Sequence, residues 1–131
     1  MKAKAGDVYT VYNKYLEAYT ACQVVYIAPP DGMSQQSRAV ILSLEWVGDA
    51  PLTAEKLPHL RPLYKDFMYW PRELHLLRVP IEVPSQYALV GTLPSFTNEP
   101  CNSYGDWDDG YDVYRQIKWQ AIPEKRRKAF K

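Results

Sequence analysis

The chain has 131 residues, with 16 Lys and Arg against 15 Asp and Glu, and a net charge of +1. That length fits one domain that can bury a core without a metal or a disulfide framework. An apolar content of 47% and a charged content of 24% exclude global disorder. The near balance of charge excludes a broad basic nucleic-acid surface.

Eleven Tyr and four Trp stand beside eleven Pro. Flat aromatic side chains suit the pleated surface of a sheet and are enriched where proteins bind proteins. In chain order, Gly6-Asp7 is a turn signal, and Val8–Tyr12 reads as a strand that Asn13-Lys14 breaks. Ala18–Ile27 reads as a second strand, making a hairpin with the first. Pro29–Ser37 is a loop. Arg38–Val47 reads as a third strand, ended by Gly48–Pro51.

Thr53 can cap a short helical turn that Pro58 stops. Residues 58–71 hold Pro58, Pro62 and Pro71 among Leu, Tyr, Phe, Met and Trp, and are expected to lie across one end of the sheet as a lid. Leu74–Val83 reads as extended, with Pro80 placing it at an edge. Tyr87–Leu93 is another strand. Residues 94–110 form a long loop, and Val113–Ala121 is expected to close the sheet as a last strand. The series predicts a mainly β (β-rich α+β) fold. Its expected form is a small, partly closed antiparallel barrel or sandwich over residues 1–123.

Residues 124–131 form a basic tail. Lys125, Arg126, Arg127, Lys128 and Lys131 against Glu124 give it +4 and leave −3 on residues 1–123. No signal-peptide core follows Met1 and no apolar run approaches the length of a membrane span, so a cytoplasmic location without membrane contact is expected.

Chemistry has little foothold. The two histidines, His59 and His75, lie in no recognised catalytic signature, and no Ser sits in a nucleophile elbow. Cys22 and Cys101 lack metal-ligand spacing, and Cys22, inside an apolar run, reads as a core residue. Asp106, Asp108 and Asp112 echo a calcium loop but lack its spacing and its distal Glu. The six glycines form no phosphate-cradling pattern. No catalytic residue, metal or cofactor is expected.

The strongest local feature is the stretch 98–114. It carries Glu99, Asp106, Asp108, Asp109 and Asp112 with no Lys or Arg, and Tyr104, Trp107, Tyr111 and Tyr114 are interleaved. Rigid rings supply contact area at low entropy cost, while carboxylates steer a basic partner. Glu99, Tyr104, Asp106, Trp107, Asp108, Asp109, Tyr111 and Asp112 are therefore the candidate partner-binding residues. The bland alternative is a solvated turn whose Trp folds back onto the core.

Gly6-Asp7-Val8-Tyr9 resembles the opening of small immunity proteins from bacterial polymorphic-toxin and contact-dependent growth inhibition systems. Leu44–Asp49, Pro62–Phe67, Val83–Tyr87, Asn102–Tyr104 and Tyr114–Trp119 are similar to stretches of proteins associated with such loci. The resemblance implies a cytoplasmic antitoxin that binds one cognate protein toxin and blocks its active site or substrate path. A nuclease toxin has a basic site for phosphates, which an acidic loop could occupy. A second reading is a small-ligand or nucleic-acid binding barrel, with Trp46, Tyr69, Trp70 and Trp107 as a stacking platform and the tail as a backbone clamp.

Overall fold

The structure is a computed structural model that describes residues 1–32, 35–107 and 110–130. Five strands form one antiparallel sheet: β1 (Asp7–Asn13), β2 (Ala18–Ala28), β3 (Arg38–Ser43), β6 (Leu76–Pro80) and β7 (Ala88–Thr92), in the order β6-β3-β2-β1-β7. Two short strands, β4 (Tyr64–Lys65) and β5 (Glu73–Leu74), pair as a second small sheet. The molecule is mainly β, as its composition implies. The large sheet stays open, with β6 and β7 as its edges, in the manner of a partly closed sandwich.

Alternation along the central strands explains why both faces are covered. Val8, Ala21, Val25, Val40 and Leu42 point to one face, where Leu44, Leu52, Leu60, Leu76 and Cys101 complete an apolar cluster. Tyr9, Cys22, Val24, Ala39 and Ile41 point to the other, with Val79, Tyr87 and Trp107. A strand whose neighbours alternate between two cores reads as a continuous apolar run, which is the pattern of β2 and β3. Both cysteines are buried and free, and Cys22 is the core residue its surroundings suggested.

Thr53 precedes a 3-10 helix, Ala54–His59, but its hydroxyl meets Glu55 Oε1 at 3.4 Å instead of capping the backbone. The Pro-rich stretch then runs beside the end of β3. Glu45 N donates to Arg61 O at 2.8 Å and Leu63 N donates to Ser43 O at 2.9 Å, with Leu60 and Leu63 buried. Pro80 ends β6 at the sheet edge, where its missing N–H costs no ladder bond.

The third strand stops at Ser43 and not at Val47, with Leu44 held by an isolated bridge to Pro62, and the last expected strand is absent. Val113–Ala121 does not extend the sheet; it belongs to helix α1 (Tyr111–Gln120). Its Val, Tyr, Ile and Trp favour strands, but burial recurs every third residue, at Val113, Gln116 and Trp119, which is a helical face. Asp112 in the first turn and Lys118 in the last also suit the helix dipole. Residues 124–130 likewise coil, as a short helix α2 (Glu124–Arg127) and a 3-10 turn, with Arg127 half-buried.

Candidate functional site

The most concentrated surface chemistry gathers where the β1–β2 turn meets the first turn of α1. Asn13, the last residue of β1, builds the junction. It is 2% exposed, and its Oδ1 accepts from Tyr15 N at 3.0 Å and Leu16 N at 3.1 Å, which closes the turn. Its Nδ2 donates to Gly110 O at 2.9 Å, which fixes the residue that starts α1. Gly110 has φ +93°, and a Cβ there would collide with the Asn13 amide. Gly110→Ala is therefore expected to destabilise the protein by about 2 kcal/mol, read as a lower urea midpoint with an unchanged m-value.

This clamp sets three tyrosines together. The Tyr15 ring lies 5.2 Å from that of Tyr111 and 5.8 Å from that of Tyr114, and Tyr111 stacks on Tyr114 at 6.0 Å. Arg115 continues the row, with its guanidinium 4.9 Å from the Tyr111 and Trp70 rings and 5.2 Å from Phe67. Phe67 in turn packs on Trp70 at 5.2 Å and on Trp119 at 5.7 Å. Lys14 over Tyr15 and Lys65 over Trp70 end the row on each side. Each such ring or cation contact contributes on the order of 1 kcal/mol beyond area burial, so the row is a stiff surface. Tyr111 remains 45% exposed and the nearby Tyr69 79% exposed.

The candidate residues of 98–114 fall into separate places. Tyr111 and Asp112 belong to the row, but Asp112 is not a bare acid: its Oδ1 pairs with Arg115 Nη2 at 2.5 Å. Arg115 lies one residue past the acidic window, which is why the window looks free of counter-charge. Trp107 is 9% exposed, edge-on to Tyr87 at 4.9 Å and Tyr9 at 6.2 Å, and its Nε1 donates to Pro80 O at 2.8 Å. It is the Trp that folds back onto the core, so it pins the loop and does not line a contact surface. Asp106 is exposed, and its Oδ1 accepts from Trp107 N at 3.0 Å.

Tyr104 sits beside β6. Its hydroxyl donates to Asp31 Oδ2 at 2.5 Å and accepts from Arg78 Nη1 at 3.0 Å, and the Arg38 and Arg78 guanidinium groups lie over its ring. The hydrogen bond to Asp31 pushes the phenol pKa up. Glu99 has an exposed side chain, and its carbonyl accepts from Tyr26 OH at 2.9 Å at the margin of the first cluster. Asp108 and Asp109 lie outside the described residues. Tyr15, Phe67, Trp70, Tyr114 and Arg115 were missing from the candidate set, apart from Tyr114 as an interleaved ring and Trp70 as part of the platform. Only folding unites positions so distant in sequence.

The other chemical features are modest. Ser43 Oγ and His75 Nδ1 lie 2.7 Å apart, but Ser43 is 8% exposed and burial pushes the His75 pKa down to about 4, aided by the Lys65 charge and opposed by Asp112. An imidazole held that low is a weak base at neutral pH. Trp46 and Trp107 pack against opposite faces of the sheet, so the four-ring platform does not assemble. Among the described residues no group of three or more His, Cys, Asp or Glu gathers as for a metal, and no helix is long and apolar enough to cross a membrane.

No family model matches the chain, and no match is found among curated proteins or solved structures.

Proposed function

We propose that this chain works by binding another protein through the aromatic row on α1, and that it is an immunity protein which neutralises a cognate bacterial toxin in the cytoplasm. The observation that carries this is the row itself. Tyr, Trp and Arg are the residue types that dominate binding energy at interfaces, and here they are locked against one another before any partner arrives. Rings already fixed lose little entropy on docking. The toxin identity rests on the resemblance of the Gly6-Asp7-Val8-Tyr9 opening and the later stretches. Asp106, exposed on the loop that precedes α1, then supplies a steering charge for a basic toxin site. In this reading the protein blocks and does not catalyse, in keeping with a buried serine beside a weakly basic histidine.

The test is calorimetric titration with the toxin domain encoded beside this gene, together with protection of cells expressing it. Tyr111→Ala is expected to weaken binding about 30-fold, the equivalent of a 2 kcal/mol hot spot, while the thermal midpoint stays near that of the parent. Unchanged affinity in Tyr111→Ala and in Trp70→Ala would remove this surface from the account.

A further inference from the structure

We propose that the cleft between the β4–β5 hairpin and the corner joining α1 to α2 binds a small carboxylic acid, its carboxylate held between the guanidinium groups of Arg72 and Arg127. Two adjoining chambers of about 260 and 480 Å³ open there, and both are lined by Asp66, Arg72 and Arg127. The cleft meets the aromatic row at Trp119 and shares no other lining residue with it, so the proposal stands apart from the binding surface described above.

Every acid in the walls is already engaged. Gln116, 2% exposed, accepts from Asp66 N at 2.7 Å and donates to Asp66 Oδ1 at 2.9 Å. Glu45 accepts from Gln120 Nε2 at 3.1 Å and pairs with Arg61 at 3.5 Å. Glu124 pairs with Lys128 one helical turn on, at 3.8 Å. The two arginines differ: neither guanidinium has an ion pair or a hydrogen bond among the described residues. Arg72 and Asp66 both adjoin the Lys65–Glu73 pair of the hairpin, yet the Asp66 carboxylate bonds to Gln116 and not to Arg72.

Both cations are also held in place. The Arg72 guanidinium lies 4.5 Å from the centre of the Tyr64 ring. Arg127 is half-buried, and its Nε is shut off from solvent without an acceptor. A donor kept from water and left unpaired costs free energy, and two cations lining one space repel. An oxyanion between them relieves both. The planar guanidinium fork matches the two oxygens of a carboxylate. Glu45, Asp66 and Glu124 in the same walls repel a second negative charge, which favours a singly charged carboxylate over a phosphate dianion. Trp119 is 3% exposed and offers little apolar wall, so the acid is short and polar and not a fatty acid.

Titration of the isotopically labelled full chain with sodium acetate, at constant ionic strength, tests this through the arginine Nε–Hε resonances. The Arg72 and Arg127 signals are expected to shift along one saturating curve, with a dissociation constant of about 1–10 mM for so small a ligand. Arg126, exposed on the same short helix, is expected to stay in place. Acetamide has the shape of acetate without its charge and is expected to give no saturating shift. Inorganic phosphate near neutral pH is expected to bind more weakly than acetate. Arg72→Gln and Arg127→Gln are each expected to raise the acetate constant about 10-fold, the loss of one charge-assisted contact, with the circular dichroism of the parent retained. Any of four results overturns the proposal: shifts that stay linear at all arginines, acetamide acting as acetate does, phosphate binding the tighter, or an acetate affinity that neither variant changes.

Discussion

Trp107→Ala is expected to lower the unfolding free energy by about 4 kcal/mol, the upper part of the range for a buried aromatic cut to alanine. The residue sits in acidic, turn-rich sequence, yet its indole fills the space between Tyr9 and Tyr87 and donates to the Pro80 carbonyl. Removal leaves a cavity, and it also leaves Pro80 O without its only described donor, so transfer and hydrogen-bond losses add. Trp107→Phe separates the two: it keeps most of the ring packing and loses the N–H bond, and a loss of about 1–2 kcal/mol is expected from that alone. Urea denaturation followed by circular dichroism measures both. A Trp107→Ala midpoint equal to the parent's would mean that the loop is not anchored by this ring.

The second large effect is a stability that falls with acid because of His75. Burial, with the Lys65 charge as a lesser cause, lowers its pKa from 6.5 in the open chain to about 4 in the fold, while Asp112 pulls the other way. Between those values the unfolded chain takes up a proton that the folded chain refuses, so unfolding is favoured as pH drops. The contribution is fully present above pH 6.5, is lost progressively toward pH 4, and changes no further below that. The gap corresponds to at most about 3 kcal/mol, since part of the ring still meets solvent. His75→Gln keeps an acceptor for Ser43 and removes the titration. Chemical denaturation at a series of pH values is expected to show a flatter profile for the variant across this window. Parallel profiles would assign the acid sensitivity to other groups.

These two residues also show where sequence reading succeeds and where it stops. The β strands were legible because period and composition are local: Val8–Tyr12, Ala18–Ile27 and Tyr87–Leu93 contain or closely bracket the observed β1, β2 and β7. Pro80 marked an edge for a reason that holds in any sheet. Val113–Ala121 reads as a strand and is helical instead, because its β-branched and aromatic residues outweigh a period-three burial pattern visible only once the neighbours are known. The candidate surface was legible in part. Tyr111 and Asp112 could be named from the density of acids and rings. Their companions Tyr15 and Phe67 lie far away in sequence, and nothing local says they meet. Trp107 could not be sorted from Tyr111 by composition, since both sit among aspartates, and only the sheet decides which ring turns inward.

The Asn13 side chain joins Tyr15 to the start of α1 across 97 positions of sequence. Each half of the aromatic row is therefore incomplete without the other, and neither can be lifted out as a peptide. A ten-residue segment such as Tyr111–Gln120 is marginal as a helix in water by itself. The aromatic row is thus complete only when the last third of the chain has been synthesised and docked on the first. An unfinished or clipped molecule holds Tyr15 and the Phe67–Trp70 pair but lacks Tyr111, Tyr114 and Arg115, which join them, so possession of the complete row is a record that the whole chain has folded.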